Sequence, residues 1–147
     1  MRIVVDTNIV FSAILNTNSK ISKILLHPKS RLNFYSTELL LIEVEEHRLK
    51  LKQLTDYSDI ELNKVIKLVT KRIRFVNIQL IPSEILLKAE NLTKDVDIDD
   101  TEFIGLTEHV KGKFWSGDKE LRHGLIQKDW NRFITTDELF RKITKQK

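Results

Sequence analysis

Blocks of apolar and polar residues alternate along this chain, and changes in their period mark its elements. Residues 2–5 carry the β-branched run Ile3, Val4, Val5 with no polar alternation, the pattern of a strand buried on both faces. Residues 9–15 and 21–27 follow as one broken helix or two short ones. Residues 33–36 read as a second strand. Ser36 or Thr37 then caps a long helix reaching about residue 51, with Leu39, Leu40, Ile42 and Val44 as its apolar face. A further amphipathic helix spans 57–72 on Ile60, Val65, Ile66, Leu68 and Val69, and residues 74–78 form a third strand. Pro82, suited to a first helical turn, opens a helix over 83–93. The next helix begins around Asp99 and turns Phe103, Ile104, Leu106 and Val110 inward. Residues 113–116 form a fourth strand, Gly117 turns the chain into a helix over 118–126, residues 132–134 form a fifth strand, and Thr136 caps a final helix to about 144. Strands alternating with helices predict an α/β fold, a parallel sheet covered on both sides.

In such sheets, sites form at the carboxyl ends of strands. Asp6 ends the first strand, and Asp118, in FWSGDKEL, follows the fourth by two residues, so two acids reach the same edge. Glu43 lies mid-helix in LLLIEVEEH, four and three residues after Leu39 and Leu40, and shares their face. Asp100 sits at a helix start in VDIDDTEFIGL. Each acid has a plain structural reading: Asp6 as a helix cap, Glu43 at the edge of its face, and Asp99 or Asp100 as a cap. Their joint placement adds chemistry. Carboxylates converging without Lys or Arg repel one another, and a hard divalent cation with all-oxygen ligands, magnesium or manganese, relieves the repulsion. Such a cation activates water against a phosphodiester.

Composition narrows the rest. At 147 residues, with 41% hydrophobic and 31% charged positions, the chain is expected to form one domain spanning 1–147. Zero Cys excludes disulfides and thiolate metal sites. No stretch approaches a signal peptide's apolar region or a membrane span, so a cytoplasmic protein without a membrane partner is expected. Lys plus Arg number 25 against 21 Asp plus Glu, a net +4 that permits a polyanionic partner. Five basic residues and no acid lie from Lys64 to Arg74, whereas Asp95 to Glu102 holds five acids and no base. Lys119 and Arg122, following Asp118 at the cleft rim, are the cations best placed for phosphate contact.

The order IVVDTN, LIEVEEH, IDDTEFIGL, SGDKEL resembles the PIN-domain family, in particular those members that act as toxins of toxin–antitoxin pairs, over residues 2 to about 137. The resemblance implies a three-layer α/β/α sandwich around a central, mostly parallel sheet of about five strands. It also implies a metal-dependent ribonuclease using one or two Mg²⁺ or Mn²⁺ ions. Carried over by position, Asp6 is the central ligand, Glu43 the second acid, Asp100 the third and Asp118 the fourth. Thr7, Asn8 and Ser116 orient carboxylates or waters. Thr101 stands where the family often has a small residue, which keeps Asp99 as the alternative to Asp100. The expected partners are an RNA substrate, a cognate antitoxin protein, and further copies of the chain in a homodimer or higher oligomer.

Rival readings fail on particular residues. A calcium EF-hand beginning at Asp95 needs glycine where Asp100 stands and glutamate where Leu106 stands. A haloacid-dehalogenase phosphatase needs a second Asp where Asn8 stands, and no glycine-rich phosphate loop exists. His27, His47, His109 and His123 have no metal spacing, and Trp115 and Trp130 read as packing residues. Two alternatives within the resemblance stay open: a non-catalytic RNA- or protein-binding module, which has no need of four acids, and a DNA-directed structure-specific nuclease, for whose helical insertions the chain leaves little room.

Overall fold

The structure is a computed structural model that describes residues 1–28 and 30–145. The first strand, β1 (Arg2–Val5), is followed by helices α1 (Thr7–Leu15) and α2 (Lys20–Leu26) and by strand β2 (Asn33–Thr37). Helices α3 (Glu38–Glu46), α4 (Arg48–Thr55) and α5 (Asp59–Thr70) lead to strand β3 (Ile73–Val76). Helix α6 (Ser83–Thr93), a 3-10 turn (Ile98–Asp100) and helix α7 (Thr101–Val110) lead to β4 (Lys113–Trp115). Helix α8 (Lys119–Ile126), strand β5 (Phe133–Ile134) and helix α9 (Thr136–Thr144) complete the described chain.

Among the described residues, the five strands are all parallel, in the order β3-β2-β1-β4-β5. β1 is therefore central, and Ile3, Val4 and Val5 are each 0% exposed, which accounts for a run with no polar alternation. The chain winds outward from β1 to β3, crosses back, and winds the other way through β4 and β5. Right-handed crossovers then put helices on both faces, an α/β/α sandwich. The crevice between the carboxyl ends of β1 and β4 is the point where the winding reverses, the place where such sheets form sites. Among the described residues, no helix is long and apolar enough to cross a membrane.

Three local features differ from the sequence expectation. The long helix after β2 is two helices, broken at His47 (φ −101°, ψ 14°). The His47 ring lies 5.2 Å from that of Phe11, and its Nδ1 donates to the Glu43 carbonyl at 2.9 Å. That contact comes from α1 and leaves no trace in the local helical period. The buried faces are also narrower: Leu40 and Val44 are buried in α3 while Ile42 is 54% exposed, and α5 buries Leu62 and Val69 while Ile60 is 69% exposed. Finally, Thr135 rather than Thr136 caps α9, in a capping box with Glu138.

Two adjacent residues set the entry into β4. Lys111 ends α7 in the left-handed region (φ 55°), where a Cβ is strained. A Cβ on Gly112 would stand 2.5 Å from the Arg2 carbonyl oxygen, so only glycine lets this turn approach β1. Urea unfolding is expected to show Lys111→Gly stabilised by about 1 kcal/mol, through relief of left-handed strain. Gly112→Ala is expected to lose about 1–3 kcal/mol, the usual cost of forcing atoms into packed structure.

Candidate metal centre at the carboxyl edge of the sheet

Asp6 stands where the chain leaves β1. Its backbone N–H still donates to Trp115 O at 3.0 Å, so β1 and β4 stay paired up to the residue that carries the carboxylate. It caps α1, accepting from Thr7 N–H on Oδ1 at 2.7 Å. The cap accounts for only one oxygen. Oδ2 accepts from Ser116 Oγ at 2.6 Å and from Asn8 Nδ2 at 3.2 Å. Burial, to 5% exposure, pushes the Asp6 carboxyl up to about 6; the charges of Glu43 and Asp118 add to this, and the Ser116 and Thr7 hydrogen bonds oppose it.

Ser116 and Asn8 tie the ends of β1 and β4 together. The Ser116 hydroxyl accepts the Asp118 N–H at 3.1 Å while it donates to Asp6. Asn8 Oδ1 accepts the Gly117 N–H at 3.0 Å. Asp118 in turn caps α8, its Oδ1 accepting from Leu121 N–H at 3.1 Å.

The next acids arrive on the 3-10 turn rather than on the first turn of an α-helix. Asp97 caps that turn by accepting from Asp99 N–H at 3.1 Å. Asp100 is 9% exposed, whereas Asp99 points to solvent. Oxygens of Asp97, Asp100 and Asp118 all lie within 4.8 Å of one another. Among the described residues no ion pair engages any of the three, nor Asp6 or Glu43. Burial pushes Asp100 well above the carboxylate range, and the charges of Asp6, Asp97 and Asp118 push it further. Three close oxygens with no cationic partner fit a hard divalent ion. Asp97 is the acid that sequence reasoning passed over as a site residue. Its signal is the three-residue spacing from Asp100, which a 3-10 turn stacks on one face.

Glu43 reaches this edge from α3, accepting from Thr7 Oγ1 at 2.8 Å. It does not join the close group of Asp97, Asp100 and Asp118. It instead lines a neighbouring recess of about 410 Å³ with Glu46, Asp99 and Glu102, walled by Leu39 and Ile98. Burial raises its pKa, the Thr7 hydrogen bond opposes, and Glu46 and Asp99 add to the rise.

The expected cations divide. Lys119 is exposed on the first turn of α8, whereas the half-buried Arg122 lies over the Phe133 ring at 5.9 Å and packs against β5. Arg72 of the basic run binds the carbonyls of His27 and Ser30 at the amino edge, across the sheet from the acids. Trp130 is 5% exposed and donates to Glu108 at 2.6 Å, a packing role.

The raised carboxyls set a pH dependence in metal-free protein. The folded state holds protons on Asp6 and Asp100 that the unfolded chain releases near its ordinary value of 3.8, so the contribution of these two groups to stability is complete at low pH. It falls as pH rises through about 6, and further as Asp100 ionises. Thermal unfolding in EDTA is expected to show this fall between pH 4 and 8. Asp100→Asn is expected to unfold at least about 2 °C above the parent at pH 8, the shift that 1 kcal/mol produces in a chain this size. The two should converge at pH 4.

No curated protein matches the chain. A sequence model of the family described as PIN domain, whose members are in general nucleases, matches residues 4–141 and so takes in Asp6, Glu43, Asp100 and Asp118. With that match over nearly its whole length, on a parallel sheet with acids at its carboxyl edge, the chain belongs to the PIN domain family.

Proposed function

We propose that this chain is a Mg²⁺- or Mn²⁺-dependent endoribonuclease of the cytoplasm. The observation that carries the reading is Asp100: a carboxyl group nine-tenths buried, with no Lys or Arg paired to it among the described residues, facing the oxygens of Asp97 and Asp118. Asp97, Asp100 and Asp118 hold the cation on this reading, with Asp6 behind them and Glu43 reaching in beside Thr7. A bound ion supplies Lewis acidity toward a phosphodiester oxygen and lowers the pKa of water.

The chain's own residues do the rest by positioning. Ser116 and Asn8 lock the Asp6 carboxylate, while Thr7 fixes Glu43. Water is the nucleophile, since the chain has no Cys and Ser116 is engaged by Asp6 and Asp118. Attack in line would form one P–O bond as the bond to the 3′ oxygen breaks, the water losing a proton to solvent and the 3′ oxygen taking one from solvent to leave as a hydroxyl. Lys119, exposed beside Asp118, is the cation that contacts phosphate.

The proposal extends to the toxin of a toxin–antitoxin pair, supported by the sequence resemblance, and to a homo-oligomer. The latter is supported by Leu41, Ile42, Leu49 and Leu54, which are 37%, 54%, 69% and 60% exposed along α3 and α4.

Single-stranded RNA and DNA incubated with protein and manganese test the activity. RNA is expected to be cut and DNA spared, with EDTA abolishing cleavage. Asp6→Asn, Asp100→Asn and Asp118→Asn are each expected to lose on the order of 100-fold or more. Asp99→Asn, altering an exposed neighbour, is expected to keep most of the rate. Cleavage that survives EDTA, or an Asp100→Asn variant of parental rate, contradicts the reading.

A further inference from the structure

The loop that delivers Asp97 and Asp100 belongs to a stretch of five acids, Asp95 to Glu102, and faces a further carboxylate, Asp118, from another part of the chain. Carboxylates at that range repel one another once ionised, which opposes holding the loop against Asp118. Its own bonds are short-range: the Val96 and Asp97 N–H groups donate to Thr93 O at 2.9 and 2.8 Å, and the Thr93 and Thr101 hydroxyls meet at 2.7 Å. None of these relates the loop to Asp118.

Helix α8 does. Asp118 caps its start, and its last turns grip the loop. A Cβ on Gly124 would stand 2.9 Å from both Val96 methyls, so Val96 sits directly on the bare helix backbone. Lys128, just past the helix end, donates to Leu92 O at 2.9 Å and pairs with Asp95. Among the described residues that is the one ion pair made by the acids of segment 95–100.

We propose that Gly124 and Lys128 are positioning residues of the acidic site: they clasp Val96 and Asp95, so that the helix capped by Asp118 also fixes where Asp97 and Asp100 stand. The consequence for metal rests on the function proposed above; the clasp itself does not. Val96 cannot escape an added Cβ by rotation. Two of the three positions on its own Cβ face Gly124, and its two methyls always fill at least one of them. The loop backbone must therefore move.

Gly124→Ala isolates this effect, because alanine favours helix over glycine and leaves α8 itself intact. Two readouts apply: hydrogen exchange of the Val96, Asp97 and Asp100 amides in metal-free protein, and manganese affinity by spin resonance. Gly124→Ala is expected to speed that exchange and to weaken manganese binding by about tenfold, the scale of losing an orienting contact. Adding Val96→Ala, which removes both methyls, is expected to restore both. Lys128→Met is expected to act like Gly124→Ala, and Lys128→Arg to retain the parental values. Parental exchange in Gly124→Ala, or a loss that Val96→Ala leaves unrepaired, overturns the proposal. A parent chain that binds no manganese overturns the metal reading instead, and the exchange rates still decide whether the loop is clasped.

Discussion

Asp6 carries a negative charge into the crevice between β1 and β4, and the surrounding elements are arranged to satisfy it. Thr7 N–H, Asn8 and Ser116 donate to its two oxygens, drawn from the start of α1 and the end of β4. Burial holds the pKa high, the neutral donors offset only part of it, and the charges of Glu43 and Asp118 add to the rise. A structural carboxylate is normally buried beside Arg or Lys. Here the charged groups that act on Asp6 are the acids Glu43 and Asp118, an arrangement that fits the cation proposed above.

The topology explains why the acids meet. Reversal of the winding at β1 and β4 opens a crevice at their carboxyl ends, so the residues that follow each strand face one another. The same helix starts that satisfy Asp6 and Asp118 as caps direct their carboxylates into that crevice. Capping is thus compatible with the metal binding proposed above, since each cap engages one carboxylate oxygen. The acids of the 3-10 turn come from the crossover to β4, and α8 sets their distance from Asp118.

Much of this was legible in the sequence, for reasons particular to each segment. The unbroken run Ile3 to Val5 announced a central strand because burial on both faces removes alternation. Asp6 and Asp118 then followed from their positions at strand ends. The choice between Asp99 and Asp100 stayed open in the sequence, and the structure buries Asp100 and exposes Asp99. What escaped depends on contacts distant in sequence. The break at His47 sits against Phe11 of α1, and the choice of Leu62 over Ile60 depends on how α5 meets its neighbours. Arg122 is drawn from the rim by Phe133. Asp97 escaped because its link to Asp100 depends on a 3-10 turn, whereas the segment read as the start of an α-helix.

Anomalous scattering from crystals grown with manganese tests the central claim most directly, since it locates the ion independently of turnover. The account predicts a peak bounded by the carboxylates of Asp97, Asp100 and Asp118, at oxygen-ligand distance and on the Asp6 side of the crevice. A peak confined to the recess of Glu43, Glu46 and Glu102, or none at millimolar manganese, would contradict it.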